Sequence, residues 1–338
     1  MKKIIALISI LLSFSLLLCG CNKNEETPTD APTDKVSEKP TEPEEPEEIP
    51  EGAVILSTEA GLRIIYSEGS FDRSNLVYDE LMNTDPKAYN QIGYYTMVKA
   101  DREYADDGKL EVLIGMTGKD ASESSRASLG TYLDYTVSVI DKSIAINSYS
   151  PEKLDEAVEY FISRIKLIGE TVVYIPESKE HTVKHTDYPA PNVDVAGVAL
   201  SEFSFVYPKD ASIYELDAIR MMIDWIGNNT GAIIAMRDDS TEREEHEILM
   251  GKTSRETCEQ IFSTLAQNEY LFKVVGGDGR IDIVIAYANV ITMNKLVEQI
   301  GSEISTSGKV PEEIRGEIKE DGMIVSQIPV LRDPCILL

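Results

Sequence analysis

A seven-residue pattern occurs twice in the chain and constrains the fold more than any other feature. Residues 111–117 read Glu-Val-Leu-Ile-Gly-Met-Thr, and residues 247–253 read Glu-Ile-Leu-Met-Gly-Lys-Thr. In both, an apolar strand ends in Gly-x-Thr, which is typical of a turn leading into a helix N-terminus. A pattern that recurs within one chain indicates two copies of one structural unit. The elements on either side of the two copies should therefore correspond.

The flanking elements do correspond in pattern. Each copy is predicted to contain an opening strand, a first helix, a second helix after the Gly-x-Thr turn, a hairpin that begins at a tyrosine, and a closing amphipathic helix. In the first copy these are residues 62–66, 70–82, 120–129, 135–147 and 151–165, and in the second 203–207, 212–228, 255–266, 270–285 and 294–304. The predicted fold class is therefore α+β, with two tandem repeats that each form a mixed β-sheet with packed helices.

The expected domain organisation follows from these patterns. A signal peptide (1–21) and a tether (22–51) precede a first repeat (52–170), a linker (171–199) and a second repeat (200–305). A C-terminal segment of residues 306–338 remains. Removing the signal and the tether leaves a length that suits two ordinary domains better than one.

The repeated register resembles a known accessory domain. After the Gly-x-Thr turn and its helix, each copy has an acid followed by tyrosine, Asp134-Tyr135 and Glu269-Tyr270. This register is similar to the α/β domain that precedes the catalytic barrel in β-N-acetylhexosaminidases and α-glucuronidases. The likeness spans about 100 residues in each copy, or some two-thirds of the mature chain. It implies a carbohydrate-related setting and no catalytic residue in residues 52–305.

The N-terminus is typical of an export signal. Lys2 and Lys3 precede an apolar stretch, residues 4–18, that is too short to span a membrane. Residues 18–21 read Leu-Cys-Gly-Cys and resemble the lipobox of bacterial lipoproteins. The resemblance implies that Cys21 carries acyl chains such as palmitate and holds the protein on the outer face of the cell membrane. A plain secretory peptide with an incidental Cys, or an uncleaved anchor, is the alternative.

Residues 22–51 are rich in Pro and Glu and have almost no large apolar side chains. Such a segment cannot bury enough surface to offset the entropy of ordering, so we predict a disordered tether. A Pro-rich ligand for a partner domain is the alternative. The formal net charge of −27 excludes nucleic acid as a partner, because phosphate binding needs basic surface. The partners that the two resemblances imply are the membrane, through the lipid anchor, and a polysaccharide.

The sequence predicts neither a cofactor nor a metal site. His181 and His185 have a spacing that can bind zinc on a helix, but the intervening Thr and Val favour a strand. His246-Glu247 begins like a zinc-protease motif and lacks the second His. Cys258 and Trp225 have the sequence context of buried residues.

A glycosidase needs two carboxyl groups at a set separation across a cleft. Adjacent acids occur at residues 106–107, 238–239 and 244–245. In so acidic a chain, such pairs are usually solvated loop residues. We therefore predict no catalytic residue in residues 52–305.

The run Arg332-Asp333-Pro334-Cys335-Ile336-Leu337 resembles the opening blade of the five-bladed propeller glycosidases of family 43. The match implies that Asp333 is the general base of a glycosidase module of which only the start is present. An ordinary Asp-Pro turn before an apolar strand is the alternative.

The function expected from the sequence is a membrane-anchored surface lipoprotein that serves as the non-catalytic accessory region of a carbohydrate-active protein. Two alternatives stay open at this point. The first is a glycan-binding surface receptor that uses a cleft between the repeats, and the second is a glycosidase with an unrecognised site.

Overall fold

Two sheets of six strands organise the chain. A computed structural model describes residues 47–56, 61–103, 108–277, 279–307 and 309–318. These residues belong to one compact unit that begins at Glu47. Cys21, most of the predicted tether and Asp333 lie outside the described residues.

The elements of the first half, in chain order, are β1 (Val54–Ile55), β2 (Leu62–Tyr66), α1 (Phe71–Thr84), α2 (Pro86–Tyr89), α3 (Tyr94–Met97), β3 (Val98–Ala100), a 3-10 turn (Asp101–Glu103), β4 (Leu110–Ile114), α4 (Asp120–Arg126), β5 (Tyr135–Ile140), β6 (Ser143–Ser148), α5 (Pro151–Ser163), β7 (Ile165–Ile168), β8 (Thr171–Tyr174) and β9 (Glu180–Val183).

The elements of the second half are β10 (Asp194–Val195), β11 (Val198–Ala199), a 3-10 turn (Leu200–Glu202), β12 (Ser204–Tyr207), α6 (Ile213–Thr230), β13 (Ala235–Asp238), β14 (His246–Met250), α7 (Glu256–Phe262), β15 (Glu269–Gly277), β16 (Arg280–Tyr287), α8 (Val290–Ser307) and β17 (Glu313–Glu317).

The two large sheets have the same topology. Their strand orders are β3-β2-β4-β6-β5-β9 and β13-β12-β14-β16-β15-β17. In each sheet the first four strands are parallel, and the fifth runs antiparallel to both of its neighbours. The prediction of two tandem α+β repeats with mixed sheets is confirmed.

Hydrophobic periodicity explains which helix faces are buried. On α5 the side chains of Leu154, Ala157, Val158 and Phe161 recur at helical spacing, and all four are buried against the first sheet. Burying one large apolar side chain stabilises a fold by roughly 1.5–3 kcal/mol. On the second sheet, α6 and α8 cover the corresponding face. The short helix α7 covers the opposite face, where Leu249, Val284 and Cys258 form a smaller cluster.

The sequence reasoning missed several strands outside the repeated pattern. The strands β7 and β8 form a hairpin that also pairs with β1. The strand β9 contains His181, where the sequence favours a strand, but it lies in the predicted linker and in fact forms the edge of the first sheet. The strand β17 lies in the predicted C-terminal segment and forms the matching edge of the second sheet. Edge strands with polar sequences lack the continuous apolar runs that identify buried strands.

The connection from the first helix to the next strand differs between the repeats. Residues 85–97, with the helices α2 and α3, join the first helix to β3 in the first repeat. Residues 231–234 make the equivalent connection in the second repeat. Within the described part of the chain, no helix is both long enough and apolar enough to span a membrane.

Candidate functional site

The junction between the two repeats is built around Tyr132, which precedes β5. Its ring is buried against Gly227 on α6, at a distance that leaves no room for a side chain at position 227. The Tyr132 hydroxyl donates a hydrogen bond to Asp224, and its backbone N–H donates to the Gly231 carbonyl at 3.0 Å. The repeats are thus joined by a packed aromatic ring and by hydrogen bonds at both ends of the residue.

A second tyrosine reinforces the same junction. The Tyr188 hydroxyl donates to the Thr131 hydroxyl at 2.7 Å and accepts from the Leu133 backbone N–H at 3.1 Å. Its ring lies over Gly231, which ends α6. The chain between the repeats therefore contacts both of them.

The carboxylate of Asp134 fixes the loop that carries Tyr132. It is buried and accepts hydrogen bonds from the backbone N–H groups of Gly130, Thr131 and His185, at 2.8, 3.0 and 2.8 Å. Burial opposes the charged form of this group, but the hydrogen bonds outweigh it and hold the pKa of Asp134 below its usual value. Glu269 has the same position before its tyrosine. Hydrogen bonds from the Ala266 backbone and from Arg315 lower the pKa of Glu269.

A groove of about 620 Å³ lies beside this junction. It is lined by Gly130, by the end of α6 and by the segment that includes β10 and β11. Two of its polar side chains are engaged with neighbouring backbone. The Thr230 hydroxyl donates to the Ile226 carbonyl at 2.8 Å, and Asp194 accepts from the Gly197 N–H at 3.0 Å. Among the described residues that line the groove, Asp194 is the single carboxylate, so they do not supply the two carboxyl groups that glycoside hydrolysis uses.

The glutamate that opens each repeated pattern is a buried ion-pair partner. Glu247 has no exposed side-chain surface and receives two hydrogen bonds from Arg255, at 2.9 and 3.0 Å. At the corresponding place in the first repeat, Lys119 lies 3.7 Å from the nearly buried Glu111. Both cations immediately precede the helix after the Gly-x-Thr turn. These glutamates hold that turn and helix against the sheet.

Asp282 adds a second buried carboxylate to the second sheet. It lies directly beside Glu247 across the parallel pair of β14 and β16. Arg243 donates to its Oδ2 atom at 2.6 Å, and the Thr257 hydroxyl donates to the same atom at 2.7 Å. The two acids are therefore neutralised by separate arginines and closed off from solvent, which makes them a structural network and not a catalytic pair.

The adjacent acids predicted to lie in loops have structural partners where they are described. Asp238 is half-buried at the end of β13, and hydrogen bonds from Ser240 lower the pKa of its carboxyl. Asp239 accepts from the backbone N–H groups of Lys209 and Ser254, and Glu244 pairs with Arg237 at 2.6 Å. Residues 106–107 lie outside the described residues.

The three histidines, His181, His185 and His246, have different surroundings and do not form a shared metal site among the described residues. The strand predicted around His181 is confirmed as β9, and the His181 ring stacks on Tyr160 with 3.8 Å between ring centroids. His185 lies beyond that strand and contacts Tyr188. His246 is buried against Phe203. Within the described part of the chain, no group of three or more His, Cys, Asp or Glu side chains is placed to hold a metal ion.

The remaining residues singled out by the sequence pack in the cores. Cys258 is fully buried, and Trp225 packs against the core of the second repeat. The four repeat-matched tyrosines also pack against the two cores; they are Tyr66, Tyr135, Tyr207 and Tyr270. Sequence reasoning found the repeat-matched residues and missed Tyr132 and Gly227, because their pairing depends on how the repeats meet.

No protein-family model matches the chain, and no curated protein matches it. Among solved structures, a crystal structure of a beta-N-acetylhexosaminidase from Bacteroides fragilis NCTC 9343 is similar at 12% sequence identity with a TM-score of 0.23. The match covers 59% of this chain and 30% of the length of that structure's chain.

Proposed function

We propose that the two repeats are the non-catalytic accessory region of a carbohydrate-active surface protein. The observation that carries the proposal is the state of the carboxylates. The acids placed by the repeated pattern, Glu111 and Glu247, and the neighbouring Asp282 are buried in ion pairs. A general acid or base must reach its substrate, which these groups cannot do. The resemblance of the repeated register to an accessory domain supports the same proposal.

The rigid junction also fits an accessory role. Tyr132 and Tyr188 join the repeats through buried rings and hydrogen bonds on both sides. A region that spaces or supports another module benefits from such a fixed geometry, because supporting elements must hold a functional site within a fraction of an ångström.

Assays on the full chain test the absence of catalysis. We expect no turnover of aryl glycosides above the rate of buffer alone, because the groove beside the junction is lined by a single carboxylate among the described residues. Asp333→Asn should leave thermal stability and polysaccharide retention unaltered. Turnover that disappears when an acid within residues 52–305 is replaced would contradict the proposal.

Anchoring through Cys21 is part of the proposal and has its own test. Cys21→Ala should move the protein from the membrane fraction to the soluble fraction or leave the precursor unprocessed, because the acyl chains are the proposed anchor. Cys258→Ala is the matched control, since Cys258 is buried in the second repeat and should not affect fractionation. Normal processing and unchanged membrane retention of Cys21→Ala would rule out the lipid anchor.

A glycan receptor is the second candidate function. The groove beside the junction favours it, because a volume of about 620 Å³ is within the range of small-ligand sites. The resemblance of the repeated register to an accessory domain makes the accessory role the better-supported proposal.

A further inference from the structure

One of the connections that distinguish the two repeats carries an exposed aromatic ring. Residues 85–97 have no counterpart of similar length in the second repeat, where residues 231–234 make the same connection. The shared fold therefore does not require the longer segment. Additions to a common scaffold are where function is often located, since loops carry binding residues on a rigid support.

Tyr95 is the most exposed large apolar side chain in the described part of the chain, with 84% of its surface accessible. Its ring is not isolated. It packs edge-to-face on Tyr94 with 5.3 Å between centroids, and Tyr94 packs in the same way on Tyr78 of α1 at 5.0 Å. We call these three rings the tyrosine platform.

A hydrogen bond to α1 fixes the middle ring of the tyrosine platform, that of Tyr94. The Tyr94 hydroxyl donates to the side-chain oxygen of Asn75 on α1. Asp79 lies one helical turn beyond Asn75, on the same face of α1, and is exposed. Burial, with nearby Tyr66, Tyr95 and Asp79, raises the pKa of Tyr94, so its hydroxyl stays protonated and remains a donor at neutral pH. The ring of Tyr95 is thus held by a neighbour that is itself held in place.

We propose that the tyrosine platform binds a neutral polysaccharide, with Tyr95 as the ring on which one sugar stacks. Exposed aromatic rings pack against the C–H face of a pyranose, and the exposed carboxylate of Asp79, which lies close enough to Tyr94 to raise its pKa, can accept hydrogen bonds from sugar hydroxyls. The carboxylate of Asp79 and the formal net charge of −27 oppose an acidic ligand. This inference rests on the proposed carbohydrate-related function and places the contact away from the groove.

Retention of the full chain, in detergent micelles, on chitin and on cellulose tests the inference. Tyr95→Ala should weaken retention on the bound polysaccharide about five- to tenfold, the loss expected for one aromatic contact. Asn75→Ala should weaken it less, because Tyr94 would lose the hydrogen bond that fixes it. Tyr214→Ala is the matched control. Tyr214 is also exposed, at 62%, but lies on the second repeat and has no ring contact among the described residues.

Tyr95 makes little buried contact, so its replacement should leave the thermal unfolding midpoint unchanged, and a loss of retention can then be assigned to binding. Equal retention of Tyr95→Ala, Tyr214→Ala and the unaltered chain would overturn the inference, as would failure of the unaltered chain to bind either polysaccharide. If Tyr95→Ala instead changes only self-association in sedimentation, the platform is a protein contact and the inference is wrong. None of these outcomes depends on glycoside turnover, so the proposed non-catalytic role is tested separately.

Discussion

Gly227→Ala should destabilise the protein by about 2–3 kcal/mol, the upper range for forcing extra volume into a packed region. A Cβ atom at position 227 would lie 2.1 Å from Cγ of Tyr132 and 2.4 Å from two further ring atoms. The ring cannot retreat easily, because its hydroxyl is bound to Asp224 and its backbone to Gly231. Replacing glycine by alanine within a helix normally stabilises it by about 1 kcal/mol, so a net loss reports the collision. Urea unfolding of the full chain measures the effect.

The chain supplies a matched control for this substitution. Gly301 lies within α8, and a Cβ atom there would meet no atom within 4 Å. Gly301→Ala should therefore be neutral or stabilising. The double variant Gly227→Ala with Tyr132→Ala should lose less stability than the sum of the two single losses. Alanine at position 132 has no ring, so it removes the collision with the new Cβ atom at position 227. Equal urea-unfolding midpoints for Gly227→Ala and Gly301→Ala would contradict the described packing of the junction.

Arg255→Ala should have the second large effect, with a loss of about 3–5 kcal/mol, because it leaves a buried carboxylate without its cation. Glu247 has no exposed side-chain surface and receives two hydrogen bonds from the Arg255 guanidinium. The same guanidinium donates to the Thr241 carbonyl at 3.1 Å, so the loop before β14 would also lose a contact. The stability of Arg255→Lys should lie between those of the unaltered chain and Arg255→Ala, because the lysine ammonium keeps the positive charge but cannot form the two hydrogen bonds of the planar guanidinium.

The first repeat provides the control for this variant as well. Lys119 occupies the equivalent place but lies 3.7 Å from Glu111 and is a point charge on a flexible stem. Lys119→Ala should cost about 1 kcal/mol, because this ion pair is longer and Lys119 is itself partly exposed. Similar losses for the Lys119 and Arg255 variants, measured by chemical unfolding, would show that the bidentate geometry is not what stabilises the second repeat.

The repeated framework was predictable from the sequence because both copies preserve its local chemistry. The Gly-x-Thr turn requires a backbone that only glycine adopts easily, and Gly115 and Gly251 both have positive φ, at 77° and 82°. At Gly251, a Cβ atom would also meet the Tyr287 hydroxyl at 2.9 Å. Helix periodicity located the buried face of α5 for a similar reason, since Leu154, Val158 and Phe161 are spaced for one side of a helix.

The junction and the tyrosine platform were not predictable in this way. Tyr132 and Gly227 are far apart in the chain, and nothing in the spacing of either residue indicates the other. The exposure of Tyr95 depends on the short helix α3 and on its contact with Tyr94, both of which are set by tertiary packing. The arginine partners of Glu247 and Asp282 were missed as well, because their hydrogen bonds join residues from different loops and strands.

Two sheets of identical strand order within one chain create a risk that a strand joins the wrong copy during folding. The buried charges distinguish the copies. In the correct sheets, Glu247 lies beside Asp282, while Glu111 lies beside the uncharged Ser143. If β4 paired with β16 instead, Glu111 would be buried beside Asp282, and Arg243, which lies just before β14, would move away from Asp282 with the displaced strand. Asp282 would then be buried without its cation, which would make that mispaired sheet costly, so the ion pair of the second repeat also disfavours entry of this strand from the first.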